Sequence, residues 1–149
     1  MPELDDTKDL REAREMLMNE RSPYGPISVE KEVPAIGGGT LRIRMANPVA
    51  LMYFVIFHCA PFANFLEDRL VESPSTFEHP WNLILYCDEV HPGDQLGGKK
   101  LRKFHAIYFA FKEFGIAALS HEDMWFTIAT VRTQLVNQIP GGMSKVFSI

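Results

Sequence analysis

The sequence predicts a mixed α+β protein: an N-terminal helix and β-hairpin, an apolar helical pair, then a three-stranded antiparallel sheet. Three observations predict it. Two segments of period two flank a glycine-rich stretch in the first third of the chain. A strongly apolar region opens on Asn-Pro and is interrupted by a second proline. Beyond residue 80, three apolar runs rich in β-formers are separated by turn-like segments. With 46% hydrophobic and 23% charged residues, a chain of 149 can bury a real core as a globular domain.

In chain order, residues 5–20 read as an amphipathic helix. Leu10, Ala13 and Leu17 share a face that Met16 borders, and Asp5 and Asp6 suit the helix dipole at its start. "SPYGP" at 22–26 ends it. In "ISVEKEV" (27–33), Ile27, Val29 and Val33 alternate with Glu30 and Glu32. In "TLRIRM" (40–45), Leu41, Ile43 and Met45 alternate with Arg42 and Arg44. That is a hairpin whose acidic strand can pair with an arginine strand. The glycines of "PAIGGG" form its turn. They lack the Lys-Ser/Thr and the helix that a phosphate loop needs.

Asn47-Pro48 is a helix start, a capping residue before proline at the first helical position. The helix runs to about Cys59, breaks near Pro61 and resumes to Ser73, although the β-branched and aromatic content of 49–57 also suits a strand. The unbroken apolar run from Val49 to Phe57 is far short of the ~20 residues of a membrane span. "SPSTFEHP" (73–80) is a linker, so the chain divides into a helical and hairpin region, 1–73, and a sheet region, 81–149, packed as one domain.

The strands of the sheet region are "WNLILYCDEV" (81–90), "FHAIYFAFKEF" (104–114) and "MWFTIATV" (124–131). Their continuous apolar character implies a sheet covered on both faces, and the short connections imply a meander. Ile84, Tyr86, Ile107, Phe109, Trp125 and Ile128 are the expected core. The other aromatic residues of these runs are at strand spacing too, and read as core rather than as a base-stacking platform. In "LSHED" (119–123), Ser120 and Asp123 read as a local helix cap.

The chemistry-bearing stretch is "LILYCDEVHPGDQ" (83–95), where an apolar strand stops at Asp88 and Glu89. A carboxylate at the end of a buried strand is costly unless it is solvated, hydrogen-bonded or metal-bound. Asp88 is therefore the candidate catalytic residue and a candidate Mg2+ ligand, with Asp94 as a second oxygen ligand within loop reach. The plain alternative is that Asp88 caps the His91-Pro92-Gly93 turn. His91 could add a nitrogen ligand or a base, whereas Glu89 points to the opposite face from Asp88.

"GGKKLRKFH" brings Lys99, Lys100, Arg102 and Lys103 together, a cluster able to contact phosphates and so to bind DNA weakly, or a solvated hairpin tip. The formal net charge of −4 argues against a protein dominated by a nucleic-acid surface. Zinc-binding and hydrolytic motifs are absent. Cys59 and Cys87 read as buried free thiols, and Cys87 beside Asp88 is poorly placed for a thiolate. Reduced thiols and a polar, acidic N-terminus without signal-peptide character fit an intracellular protein, cytoplasmic or nuclear.

"ILYCDEVHPGDQL" (84–96), "RKFHAIYFAFKEFG" (102–115), "LSHEDMWF" (119–126) and "GGMS" (141–144) together resemble a family of dinoflagellate proteins that carries no assigned activity. The family's usual form has threonine at position 91 and asparagine at position 94, so the resemblance implies no shared role for His91 or Asp94; Asp88 and Glu89 match it. The order strand–Asp, hairpin into two more strands, then helix is also similar to the opening of the RNase H-like fold of DDE transposases. That resemblance implies a metal-binding role for Asp88 alone, because the other acidic ligands of the family lie further along than this chain extends.

The expected function is a truncated or degenerate transposon-derived nuclease fragment, with little or no activity alone. The alternative is a non-catalytic interaction module that docks a protein partner through a sheet edge or the C-terminus. A small metal-dependent hydrolase using Asp88, His91 and Asp94 is the third reading. Acidic residues converging on Asp88 would favour the enzyme readings, and an exposed apolar edge the interaction module.

Overall fold

The computed structural model describes Glu12, Glu15 and residues 20–92 and 102–149. Glu12 and Glu15 are helical and exposed; the rest of the helix expected before Glu20 lies outside the described residues. The "SPYGP" segment forms a miniature hairpin from β1 (Arg21–Ser22) and β2 (Gly25–Pro26). The Ser22 hydroxyl accepts from the Tyr24 N–H and donates to the Gly25 carbonyl, both at 3.0 Å.

The larger hairpin is β3 (Ser28–Pro34) with β4 (Thr40–Ala46). Its register places Glu30 opposite Arg44 and Glu32 opposite Arg42. Arg42 reaches both glutamates at 3.4–3.5 Å, and Arg44 reaches Glu30 at 3.4 Å. On the other face Val33 and Ile43 are buried. The turn needs glycine: Gly38 and Gly39 have φ of +90° and +79°, a region that side chains disfavour.

Asn47 caps α1 (Pro48–His58), its Oδ1 accepting from the N–H groups of Val49 and Ala50. The stretch 49–57 is therefore helical, because a cap and a favourable first residue outweigh the β-branched content. The chain breaks at Cys59 and resumes as α2 (Ala60–Glu72) with Pro61 in its first turn, at a bend of 111°. Among the described residues no single helix is long and apolar enough to cross a membrane.

The sheet region supplies β5 (Leu83–Val90), β6 (Phe104–Phe111) and β7 (Phe126–Arg132), paired as an antiparallel meander. The α+β class stands, but the expected three-stranded sheet is a five-stranded one, of order β3-β4-β7-β6-β5. The hairpin joins it through β4 and β7, with Met45 opposite Ala129. The edge strands of this sheet are β3 and β5.

Between β6 and β7 lie a 3-10 turn (Lys112–Phe114), α3 (Gly115–Leu119) and a second 3-10 turn (Glu122–Met124). Ser120 does not form the expected cap: its hydroxyl donates back to the Ala117 carbonyl at 2.7 Å, and the following turn has no side-chain cap. The chain closes with α4 (Thr133–Val136) and α5 (Gly142–Val146), whose Val136 and Val146, with Ile139 between them, pack on Val33, Ile43, Ile107 and Val131. A second cluster joins Phe62 of α2 to Ala110 and Phe114, with Trp81, Phe65 and Phe126 around them.

Ile107 and Phe109 are buried as expected, at 2% and 1% exposure. Tyr86 is not: it is 51% exposed, and Ile84, Trp125 and Ile128 are only partly buried. The expectation that the sheet is covered on both faces holds for β6, where Ala106, Ile107, Phe109 and Ala110 are all buried, and fails for β5, which lies at the edge. Cys59 and Cys87 are free thiols, half-buried.

Candidate functional site

Strand alternation sorts the residues of β5 onto two faces. Leu83, Leu85, Cys87 and Glu89 share the face of Ile107 and the core; Ile84, Tyr86 and Asp88 share the other. Asp88 stands opposite Ala106 near the end of the strand and is exposed. The desolvation cost that made metal binding attractive is therefore not incurred, since an exposed carboxylate is solvated. Asp88 makes no hydrogen bond or ion pair with any described residue. Among the described residues no group of three or more His, Cys, Asp or Glu is placed to hold a metal ion. Asp94, Lys99 and Lys100 lie outside the described residues.

What surrounds Asp88 is aromatic. A groove of about 620 Å³ is lined by Tyr86, Asp88, Tyr108, Glu122, Trp125 and Thr127. Tyr86 and Tyr108 are cross-strand partners, their rings stacked with centroids 6.2 Å apart. Trp125 meets Tyr86 edge-on at 6.1 Å, its indole N–H donating to the Leu119 carbonyl at 3.0 Å. The loop 115–125 thus folds back to wall a groove whose floor is the sheet. Sequence reading placed Tyr86 and Trp125 in the core and passed over Glu122; only their shared face would have grouped them.

Glu89, on the opposite face, is a well-connected carboxylate. Its Oε1 accepts from the Thr133 hydroxyl at 2.9 Å, and its Oε2 lies 3.0 Å from His91 Nε2 and 3.3 Å from Lys103 Nζ. His105, its cross-strand partner, is 3.9 Å away. The Thr133 hydrogen bond acts most strongly on its carboxyl; desolvation comes next and opposes it, and with the Lys103 ammonium and His91 the net effect holds the carboxyl below the usual range. His91 therefore pairs with Glu89 rather than with Asp88. Lys103 is engaged with the same carboxylate, while Arg102 is exposed. The Glu89–His105 pairing follows from strands of equal length; Thr133, 44 residues away, carries no local signal.

Comparison with known proteins returns no matching family model, curated protein or solved structure.

Burial, and then the Asp88 charge, push the Cys87 thiol up, away from the thiolate a nucleophile needs. Leu83, Leu85 and Tyr86 are 55%, 49% and 51% exposed along a strand that pairs on one side only among the described residues.

Proposed function

We propose that the protein is a non-catalytic interaction module that takes up an extended segment of a protein partner along β5. The observation that carries this reading is the exposed apolar edge, which pairs on one side only among the described residues. A sheet edge presents unpaired N–H and C=O groups, and an added strand supplies their partners while its side chains meet those of the edge. Leu83, Leu85 and Tyr86 give such a strand apolar surface to cover on both faces of the sheet. Affinity capture with the whole chain tests the reading. A partner retained by the wild type should be lost to the Leu83→Lys/Leu85→Lys variant while the unfolding midpoint stays close to wild type. An identical captured set from both proteins counts against it.

A second reading keeps Asp88 as the single retained metal ligand of a degenerate nuclease. It is favoured by the three antiparallel strands followed by a helical turn, with Asp88 exposed and without a partner among the described residues. Calorimetric titration with Mn2+ tests it: heat of binding in the wild type that vanishes in Asp88→Asn supports the reading, and equal, negligible heats in both remove it.

A further inference from the structure

The edge and the groove are adjacent, because Tyr86 belongs to both. We propose that the groove walled by Tyr86, Tyr108 and Trp125 receives a guanidinium group, carried by an arginine of the segment that adds to β5. This inference rests on the edge reading for the delivery of the arginine, and on the groove alone for its recognition.

Three features of the groove select the chemistry. Among the described residues its lining carries two carboxylates, Asp88 and Glu122, and no cation. Neither carboxylate is hydrogen-bonded or ion-paired to a described residue, so no described donor draws on their acceptor capacity. Its walls are three aromatic rings, two stacked across strands and one held in place by the indole hydrogen bond to Leu119. Aromatic faces attract cations, and arginine, planar and weakly hydrated, stacks on them while offering its donor fork to carboxylates. A lysine ammonium is a more strongly hydrated point charge and gains less from an open groove. An anionic ligand would meet two like charges, and a purely apolar one would desolvate both carboxylates without replacing their hydrogen bonds. The volume of about 620 Å³ falls in the ~300–1,000 Å³ range of sites that hold small ligands or side chains.

The pleat supplies the delivery. On a strand paired to β5, alternate side chains fall on alternate faces. A residue in register with Tyr86 or Asp88 stands on the groove face, while its neighbours turn toward Leu83 and Leu85. Backbone pairing then provides affinity in any sequence, and the groove selects which segment binds.

The test uses the full chain and two probes. The first is a blocked peptide, Thr-Val-Arg-Val-Thr-Val-Thr, compared with versions in which arginine is replaced by lysine or glutamine. The second is N-acetyl-arginine methylamide, which can enter the groove but cannot add a strand. Calorimetry should give the arginine peptide about fivefold or more tighter binding than the glutamine peptide, with lysine between them. That preference should disappear in Asp88→Asn/Glu122→Gln, whose small, exposed changes leave the fold intact. The arginine amide should shift the Trp125 indole N–H resonance in the wild type and not in the double variant. Equal affinity for the arginine and glutamine peptides overturns the inference and leaves the edge reading standing. A Trp125 shift with the amide, but no binding of any peptide, supports the groove and overturns the edge.

Discussion

The two edges of the sheet are built on opposite plans. At one edge, β3 reads Ser-Val-Glu-Lys-Glu-Val-Pro, with Glu30, Lys31, Glu32 and Pro34 all exposed and Glu30 and Glu32 held by arginines of β4. Charges and proline are the means by which sheet edges resist pairing with another chain. At the other edge, β5 reads Leu-Ile-Leu-Tyr-Cys-Asp-Glu-Val and carries no charge before Asp88. Among the described residues both strands have one neighbour in the same sheet, so the difference lies in their side chains and not in the topology. The proposed edge pairing rests on this contrast: β3 carries the charges and proline that resist an added strand, and β5 before Asp88 carries neither.

The largest effect separates the centre of the sheet from the open edge. Ile107→Ala on β6 should cost about 2–5 kcal/mol in urea unfolding, as a buried truncation does, whereas Leu85→Ala on β5 should cost about 1 kcal/mol, because half of that side chain is already exposed. Equal costs would mean that β5 is covered. A second experiment converts one edge into the other. Replacing Glu30, Lys31 and Glu32 by threonine should make β3 sticky and raise concentration-dependent light scattering, while Leu85→Lys on β5 should lower it. Scattering that ignores both changes would deny the edges their opposite roles.

Smaller effects come from the ion pairs behind each edge. The folded-state pKa of Glu89 is lowered, so its contribution to stability is present above the ordinary carboxylate range and is lost as pH falls through its folded value. Urea midpoints measured from neutral to acid pH should therefore fall more for the wild type than for Glu89→Gln; parallel profiles would show that the Thr133 and Lys103 partners do not act on it. Glu30→Gln, in an exposed pair, should change stability by no more than about 0.5 kcal/mol.

These contrasts explain what the sequence disclosed. The hairpin was legible, with its acidic strand set against its arginine strand, because alternation and charge are local signals; the register that pairs Glu30 with Arg44 and Glu32 with Arg42 came from the structure. So was the Asn47 cap, where two adjacent residues carry the geometry. The joining of the hairpin to the sheet was not legible. Met45 meets Ala129 across more than half the chain, and an apolar strand does not announce how many neighbours it has. The same ambiguity put Tyr86 in the core, when it lies on an edge. The C-terminal helical turns were too short to leave a period, and the groove depends on the loop 115–125 returning to the sheet. Asp88 was singled out for a desolvation cost that an exposed edge position removes.

Residue-resolved hydrogen exchange across Leu83–Val90 tests the open edge most directly. In the free protein the amides bonded to β6 should exchange slowly, and the alternate, outward-pointing amides should exchange orders of magnitude faster, becoming protected when the arginine peptide binds. Uniformly slow exchange along β5 in the free protein would mean that the edge is already covered, and would contradict the account.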